Sequence, residues 1–254
     1  MCLALFALDR HPRFALVIAA NRDEYQARGA APAAWWDEGF LAGRDLAAGG
    51  TWLGITRGAR WAFVTNVREP ARYDPGAPTR GALVPAVLVD PAAPHETVPR
   101  IAASTAAYNG FNLVAGSLAI AHWGSNRAGA RALPAGIYGL SNALLDTPWP
   151  KVLRTKEAMA TWCARADTDI APLFAMLGDT RVAPDDALPA TGIPQERERL
   201  LSAPFIVSET YGTRCATVIS VDRDGAAHFV ERTFDPRGAI VGTAEYRFAV
   251  SLTA

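Results

Sequence analysis

Two groups of residues near the start of the chain carry side chains that could do chemistry together. Cys2 offers a thiol, and the run Asn21-Arg22-Asp23-Glu24 offers an amide, a guanidinium and two carboxylates. The small side chain of Cys2 permits removal of Met1, which would leave a free α-amino group beside the thiol. That amine has a reference pKa of about 7.7–8.0, so near neutral pH it can serve as a general base. The sequence therefore suggests an N-terminal cysteine nucleophile, and the alternative is that Cys2 is a small buried apolar residue.

A strand hairpin is predicted to bring these two groups together. The apolar runs Cys2–Leu8 and Phe14–Ala20 flank the polar segment Asp9–Arg13, a pattern typical of two buried strands joined by a turn. If the turn closes the hairpin at its middle, the numbers of paired residues sum to roughly 22–24. Cys2 then lies opposite a residue between Ala20 and Arg22.

Alternation along the second strand divides the charged run between two faces. Arg22 and Glu24 share one face, and Asn21 and Asp23 share the other. A guanidinium beside Cys2 would favour the thiolate, and a nearby carboxylate would orient the ammonium group. The plainer interpretation is a solvated strand end with a surface ion pair worth under about 1 kcal/mol.

Composition narrows the class of protein. The chain has 254 residues with 25 basic and 25 acidic side chains, which argues against a nucleic-acid partner. Three cysteines without close spacing predict neither a disulfide framework nor a zinc site, and four scattered histidines predict no metal site. Charges at residues 9, 10 and 13 divide the first apolar stretch, and no window is apolar enough to span a membrane. We expect a cytoplasmic, soluble protein without a cofactor.

The order of predicted elements is strands, helices, strands, helices, strands, in a single domain over residues 1–254. Hairpins recur in place of strict β-α-β alternation, which favours antiparallel sheets packed in layers with helices. We expect Gln26–Glu38 to be a surface excursion and Arg181–Arg199 to be the least regular segment. After the first hairpin, strands are predicted at Thr51–Thr56, Arg60–Val67, Phe111–Ala115, Leu118–Trp123, Gly136–Asn142, Ala203–Ser208, Thr213–Val221, His228–Thr233 and Glu245–Leu252. Helices are predicted at Gly81–Val89, Glu96–Tyr108, Pro148–Ala164 (capped by Thr147) and Asp169–Leu177.

Several ordered motifs add a family resemblance to this interpretation. The chain start and the run Asn21–Glu24 resemble the NRDE family, also called the transport and Golgi organisation 2 family. Further segments similar to that family are Gly49–Gly54, Thr65-Asn66, Thr79–Gly81, Tyr108–Asn112, Leu140–Asn142, Asp146–Val152, Tyr211–Arg214 and Glu231-Arg232.

The resemblance implies a fold and an activity. The family resembles the N-terminal nucleophile (Ntn) hydrolases, which implies an α+β fold, a four-layer αββα sandwich of mainly antiparallel sheets. The nearest analogy is the group of cysteine hydrolases that cleave linear amides. Cys2 and Arg22 match that group in place, Asn142 and Arg214 are candidates for its later Asn and Arg, and Asn66 could add an oxyanion donor.

One departure leaves the carboxylate role open. In that hydrolase group an Asp lies three residues after the Arg, whereas here Asp23 and Glu24 follow Arg22 directly. By strand alternation only Glu24 shares a face with Arg22. Three further residues are candidates for contacting the ligand: Asn21, Trp52 and Asn112.

Two functions from different classes follow. The first is an N-terminal-cysteine hydrolase acting on a linear amide or acyl substrate. The second keeps the fold without catalysis, as a haem or lipid/acyl-CoA binding and trafficking protein, in line with what the family resemblance implies. A purely scaffolding role is least favoured, because it would not explain a charged run at the end of a buried hairpin. In either case the partner is a small molecule.

Overall fold

A computed structural model describes residues 3–103, 108–118, 120–166 and 168–251. Within these ranges the chain forms five α-helices and thirteen strands. The helices are α1 (Leu83–Val89), α2 (Pro94–Ala103), α3 (Pro150–Ala164), α4 (Ala171–Leu177) and α5 (Gln195–Leu200). The strands are β1 (Leu3–Leu8), β2 (Phe14–Tyr25), β3 (Ala30–Trp35), β4 (Phe40–Asp45), β5 (Leu53–Thr56), β6 (Trp61–Asn66), β7 (Phe111–Gly116), β8 (Ala121–Ser125), β9 (Gly129–Leu133), β10 (Gly136–Leu140), β11 (Tyr211–Asp222), β12 (Ala226–Phe234) and β13 (Ile240–Ala249).

The strands form two antiparallel sheets. The first sheet has the order β10-β1-β2-β11-β12-β13, and the second sheet has the order β3-β4-β5-β6-β7-β8-β9. In the second sheet every neighbour in space is also a neighbour in sequence, so it is built from successive hairpins. The first sheet joins both ends of the chain, because β2 pairs with β11 along most of its length.

Alternation along β1 shows how the layers pack. Ala4, Phe6 and Leu8 belong to the apolar cluster between the two sheets, whereas Leu3, Leu5 and Ala7 pack against α3 and α4. On the far side of the second sheet, α1 and α2 cover residues such as Phe111 and Leu113. The predicted four-layer αββα sandwich is therefore confirmed.

The first hairpin has the predicted geometry at the upper end of the expected register. Leu3 lies opposite Asn21 and Leu8 lies opposite Leu16, so paired numbers sum to 24. Cys2, which the sequence makes the candidate nucleophile, lies outside the described residues. Strand β2 runs on to Tyr25, and the charged run is therefore part of a strand and not of the segment that follows it.

Residues 26–38 correct one expectation, because they contain the whole of strand β3. Ala30 pairs with Asp45 and Trp35 pairs with Leu41, with a register shift between Ala31 and Ala34. The intervening proline is tolerated because β3 is the edge strand of its sheet and the irregularity removes one ladder position. Apolar periodicity is weak in this Ala/Pro-rich segment, so its strand is not apparent from sequence. Strand β9 is missed for the same reason.

Segment 203–208 is a second correction, because it is not a strand although several of its residues are buried. The amide of Phe205 donates to the carbonyl of Asp179 at 2.9 Å, and the amide of Ile206 donates to Thr213 Oγ1 at 2.9 Å. These separate partners take the place of a ladder. The apolar run predicts the burial correctly but not the element.

Helix α3 begins two residues later than the sequence predicts. Pro150 is its first residue, and Trp149 before it is extended, with φ −65° and ψ 145°. Proline disfavours helical geometry in the residue that precedes it, so Pro150 and not Pro148 sets the boundary. Parts of the predicted segments ending at Tyr108 and Leu252 lie outside the described residues. No helix in the described ranges is long and apolar enough to cross a membrane.

Candidate functional site

A cavity of about 220 Å³ opens at the end of the sandwich where β2 faces β4, β5 and β6. Its lining is polar and includes three guanidinium groups and two carboxylates. The charged lining residues are Arg22, Glu24, Arg28, Asp45 and Arg80, and the others are Thr51, Trp52, Val64, Asn66, Tyr73, Ala77, Pro78, Thr79, Gly81 and Asn109.

Arg22 is the most enclosed charge of this cavity, with only 3% of the residue exposed. Its Nη2 atom lies 3.2 Å from a carboxylate oxygen of Asp45 and 3.9 Å from one of Glu24. Its guanidinium carbon lies 4.6 Å from the centre of the Trp52 ring, within cation–π range. Its Nη1 atom is buried and has no hydrogen-bond acceptor among the described residues.

Asp45, which is not among the residues predicted from the sequence, joins the two sheets at this point through its contact with Arg22. Arg28 donates from Nε to Asp45 Oδ2 at 2.7 Å, and the amides of Ala47 and Ala48 donate to Oδ1 at 3.0 and 3.2 Å. Burial opposes ionisation, but the hydrogen bond and charge of Arg28 and the two amides outweigh it and hold the pKa of Asp45 below its ordinary value. The pKa of Arg28 is raised in turn. Burial lowers it, but the hydrogen bond and charge of Asp45 and the charge of Glu24 outweigh burial.

Two glycine contacts fix the shape of the cavity. A Cβ atom on Gly43 would lie 2.5 Å from two ring atoms of Trp52, so the indole rests directly on the β4 backbone beneath it. A Cβ atom on Gly50 would lie 2.5 Å from the carbonyl of Gly81. The motifs around residues 50 and 81, separate in sequence, are thus one wall of the cavity.

Behind Arg22 the space between the sheets holds a further buried polar group. Cys215 lies opposite Arg22 in the β2–β11 register, and Glu231 of β12 is 2% exposed. Glu231 accepts hydrogen bonds from the amide of Ala33 at 2.8 Å and from Thr217 Oγ1 at 3.0 Å. Burial raises the pKa of Glu231. The two hydrogen bonds lower it, but burial has the larger effect. Burial and the nearby Glu231 together raise the pKa of the Cys215 thiol well above its ordinary value.

Asn21 and Asp23 lie on the other face of β2, as alternation predicts. Asn21 Nδ2 donates to the carbonyls of Leu177 and Pro204, both at 2.9 Å. Asp23 Oδ1 accepts a hydrogen bond from Thr213 Oγ1 at 2.7 Å. Both side chains face the layer of α4 and its flanking segments, not the cavity.

The predicted site residues that come later in the sequence are divided between the cavity and the protein interior. Asn66 lines the cavity, and Asn142 Nδ2 donates to its carbonyl at 3.0 Å. Asn112 lies inside the second sheet, where it bonds Thr65, the carbonyl of Ala143 and the Trp123 indole. Arg214, at the β11 irregularity, donates to Gln26 and does not line the cavity.

The structure thus brings Arg22, Glu24, Trp52 and Asn66 together at one cavity, with Asn142 behind Asn66. It adds Asp45 and Arg28, which lie in none of the sequence motifs, and Arg80, which lies in the motif Thr79–Gly81 but was not a predicted site residue. Asp45 is the last residue of strand β4. It could be predicted as a site residue only if that strand and its place in the sheet were already known. Within the described ranges no group of three or more His, Cys, Asp or Glu side chains could hold a metal ion.

The four-layer αββα sandwich of two antiparallel sheets is the fold of the Ntn hydrolases. A solved structure of the Caenorhabditis elegans N-acylethanolamine-hydrolyzing acid amidase ortholog matches with a TM-score of 0.51 and 11% sequence identity. The match covers 86% of this chain and 92% of that one. At this identity the likeness shows the fold alone.

The chain belongs to the Transport and Golgi organisation 2 family, whose family model matches residues 1–236. The Bos taurus Transport and Golgi organization protein 2 homolog is 36% identical over 276 residues, covering 97% of this chain and 99% of the relative. The Homo sapiens homolog is 34% identical over 257 residues, covering 92% of this chain and 93% of the relative. The family resemblance drawn from the motifs is therefore confirmed.

Proposed function

We propose that this protein is an N-terminal-cysteine hydrolase that acts on a linear amide or acyl substrate. The observation that carries the proposal is the buried Arg22 guanidinium, whose Nη1 atom has no acceptor in the described part of the chain. A buried charged donor without a partner costs more than about 1–3 kcal/mol. Leu3 pairs with Asn21, so one further step of the same register would bring Cys2 to Arg22. A thiolate at that point would accept from Nη1.

The proposed chemistry begins with removal of Met1. The Cys2 sulfur attacks the substrate carbonyl, and the α-amine of the same residue takes the thiol proton and passes it to the departing amine. The S–C bond forms, the C–N bond breaks, and the product is a thioester that water then hydrolyses. Asn66 is the proposed oxyanion donor, held by the hydrogen bond of Asn142 to its carbonyl.

The cavity also supports a proposal about the ligand. Its volume of about 220 Å³ is below the roughly 300–1,000 Å³ of sites that enclose a drug-sized molecule. Its lining carries three arginines and two carboxylates, a charge of about +1 that favours an anionic group. Cys2 adds no net charge to the cavity in either of two states, with the thiol and the amine both neutral or with both ionised. We therefore expect the cavity to take a small polar end of the substrate, with the remainder outside.

Site-specific alkylation tests the first requirement of the mechanism. The purified protein is treated with iodoacetamide at pH 7, and the modified cysteines are located by peptide mass spectrometry. Cys163 and Cys215 serve as internal controls, because burial raises the pKa of Cys163 to about 11 and that of Cys215 well above its usual value. We expect rapid modification of Cys2 on chains lacking Met1, and almost none at the two controls. Retention of Met1 on essentially all molecules would overturn the mechanism.

Turnover is then measured on a matched pair of amides with one acyl chain, an N-acylglycine and an N-acylethanolamine. The two differ in the carboxylate, so the charge of the cavity predicts faster cleavage of the acylglycine. Cys2→Ala is expected to abolish cleavage of both. Cleavage that survives this substitution would remove Cys2 from the chemistry.

A non-catalytic binding function is the second candidate, favoured by one observation. Tyr73 lines the cavity yet is 63% exposed, so an apolar body could rest on the rim while its anionic end meets the arginines. Haem and acyl-CoA both combine these chemical features. No histidine or methionine is among the described lining residues, so a haem ligand from the site would be the phenol of Tyr73 or the thiol of Cys2. Haemin titration separates the candidates: a Soret shift unaffected by Cys2→Ala would leave the thiol no role in binding.

A further inference from the structure

We propose that Asp45 is the carboxylate that orients and balances Arg22 in this site, where the sequence offers Asp23 and Glu24 as the candidate carboxylates. Asp45 comes from the second sheet and Arg22 from the first, so the site would be assembled across the sandwich. The inference rests on the proposed function, since it takes Cys2 to lie beside Arg22. It adds a positioning residue to that site.

Distances favour Asp45 over both of its rivals. Its Oδ2 atom is 3.2 Å from Arg22 Nη2, whereas the nearest oxygen of Glu24 is 3.9 Å away. Asp23 is directed to the opposite face of β2, where Thr213 donates to it. Glu24 is the more exposed of the two carboxylates at the cavity, at 23% of its side chain against 14% for Asp45.

The backbone around Asp45 holds the carboxylate in place. Its amide donates to the carbonyl of Gly50 at 2.8 Å, and its carbonyl accepts from the amide of Gly49 at 2.8 Å. Gly49 has φ 74°, a left-handed conformation that glycine adopts without strain. The carboxylate then closes the turn through the amides of Ala47 and Ala48. A carboxylate fixed in this way is pre-organised to accept from Arg22.

Charge determines what this contact does to a thiol beside Arg22. The guanidinium favours the thiolate, and its ion pair with Asp45 holds the guanidinium toward the carboxylate, which weakens its interaction with the thiol. The other titratable and charged groups that face this point are Glu24 of β2, Arg28 shortly after β2, Cys215 of β11, Glu231 of β12, and Tyr73 and Arg80 across the cavity. Neutralising Asp45 without changing its shape should therefore strengthen the effect of Arg22 on the thiol.

The experiment measures the rate of Cys2 alkylation against pH in the full-length protein and in four variants. Arg22→Gln should raise the apparent pKa of Cys2 by about 1–3 units, because it removes the nearby cation. Asp45→Asn should lower it by about one unit, since the isosteric amide keeps the acceptor for Ala47 and Ala48 and removes both the charge and the oxygen to which Arg22 and Arg28 donate. Glu24→Gln should lower it by less, and Asp23→Asn should leave it unchanged. Circular dichroism and thermal melting establish that each variant is folded.

The double variant tests whether Asp45 acts through Arg22. In the Arg22→Gln background the shift caused by Asp45→Asn should fall to less than half of its value in the parent protein. A shift of full size there would show a direct effect on the thiol and would overturn the positioning role. An unchanged pKa in Asp45→Asn, or a larger shift in Asp23→Asn, would overturn it as well. If Arg22→Gln itself has no effect, it is the proposed placement of Cys2 that fails.

Discussion

Gly50 and Gly81 pack backbone against backbone, so closely that a Cβ on Gly50 would lie 2.5 Å from the Gly81 carbonyl and 3.0 Å from the amide nitrogen of Ala82. The amide of Thr51 donates to the same Gly81 carbonyl at 3.0 Å. This contact joins the segment before β5 to the turn before α1, and it forms a wall of the cavity. Neither segment can give way, because both partners are main chain.

Replacing Gly50 with alanine should therefore destabilise the protein by about 1–3 kcal/mol, the usual cost of overpacking. Urea unfolding followed by circular dichroism measures the effect. Gly242→Ala is the matched control, since a Cβ at that position meets nothing within 4 Å. The control should be neutral or slightly stabilising. Equal unfolding midpoints for the two variants would contradict the close approach at Gly50.

The same pair of glycines shows how far sequence reasoning reaches. Two adjacent glycines such as Gly49 and Gly50 are typical of a turn, and in the structure the chain turns there between β4 and β5. Nothing in the spacing shows that residue 50 touches residue 81. Alternation along β2 correctly assigns Arg22 and Glu24 to one face, because that property is local to a strand. Asp45 is beyond such reasoning, because its contact with Arg22 depends on how two sheets stack and on a strand, β4, with little apolar periodicity.

Glu231 should make stability depend on pH in the sense opposite to most carboxylates. Burial raises the pKa of Glu231, so its contribution to stability is complete below the unfolded value of about 4.3 and is lost as pH rises through the raised value. Glu231→Gln cannot ionise and keeps the shape that meets Ala33 and Thr217. The variant should therefore gain stability relative to the parent between pH 4 and pH 8, measured by urea unfolding at each pH.

Glu245 is the control for Glu231, on the neighbouring strand. The hydrogen bond and charge of His228, and then those of Arg247, lower the pKa of Glu245. Its stabilisation is present above the unfolded value and is lost as pH falls, so Glu245→Gln should change relative stability in the other direction. A pH-independent difference between Glu231→Gln and the parent would show that Glu231 ionises normally.

The ion pair of Arg68 and Glu198 should be among the more costly contacts to break. Its atoms lie 2.5 Å apart, and the side chains are only 12% and 3% exposed. Glu198→Gln would leave the Arg68 charge buried without its partner, for which the usual cost is about 3–5 kcal/mol. Asp185→Asn removes the carboxylate of an exposed pair with Arg199 in the same segment, and it should leave the unfolding curve unchanged. A Glu198→Gln midpoint equal to that of the parent would mean that solvent reaches the pair.

Gly43 controls the position of the Trp52 ring over Arg22, and it links stability to the site. In Gly43→Ala the new methyl group would meet the indole at 2.5 Å, so the ring must move away from the β4 backbone. The cation–π contact with Arg22 should weaken, and water should reach the guanidinium and screen its charge. We expect a lower melting temperature and a higher apparent pKa for Cys2 in the alkylation profile. Gly29→Ala is the control, because its Cβ would lie 3.6 Å from Leu46, an ordinary contact. A normal melting temperature together with an unchanged Cys2 profile in Gly43→Ala would show that Trp52 does not shield Arg22.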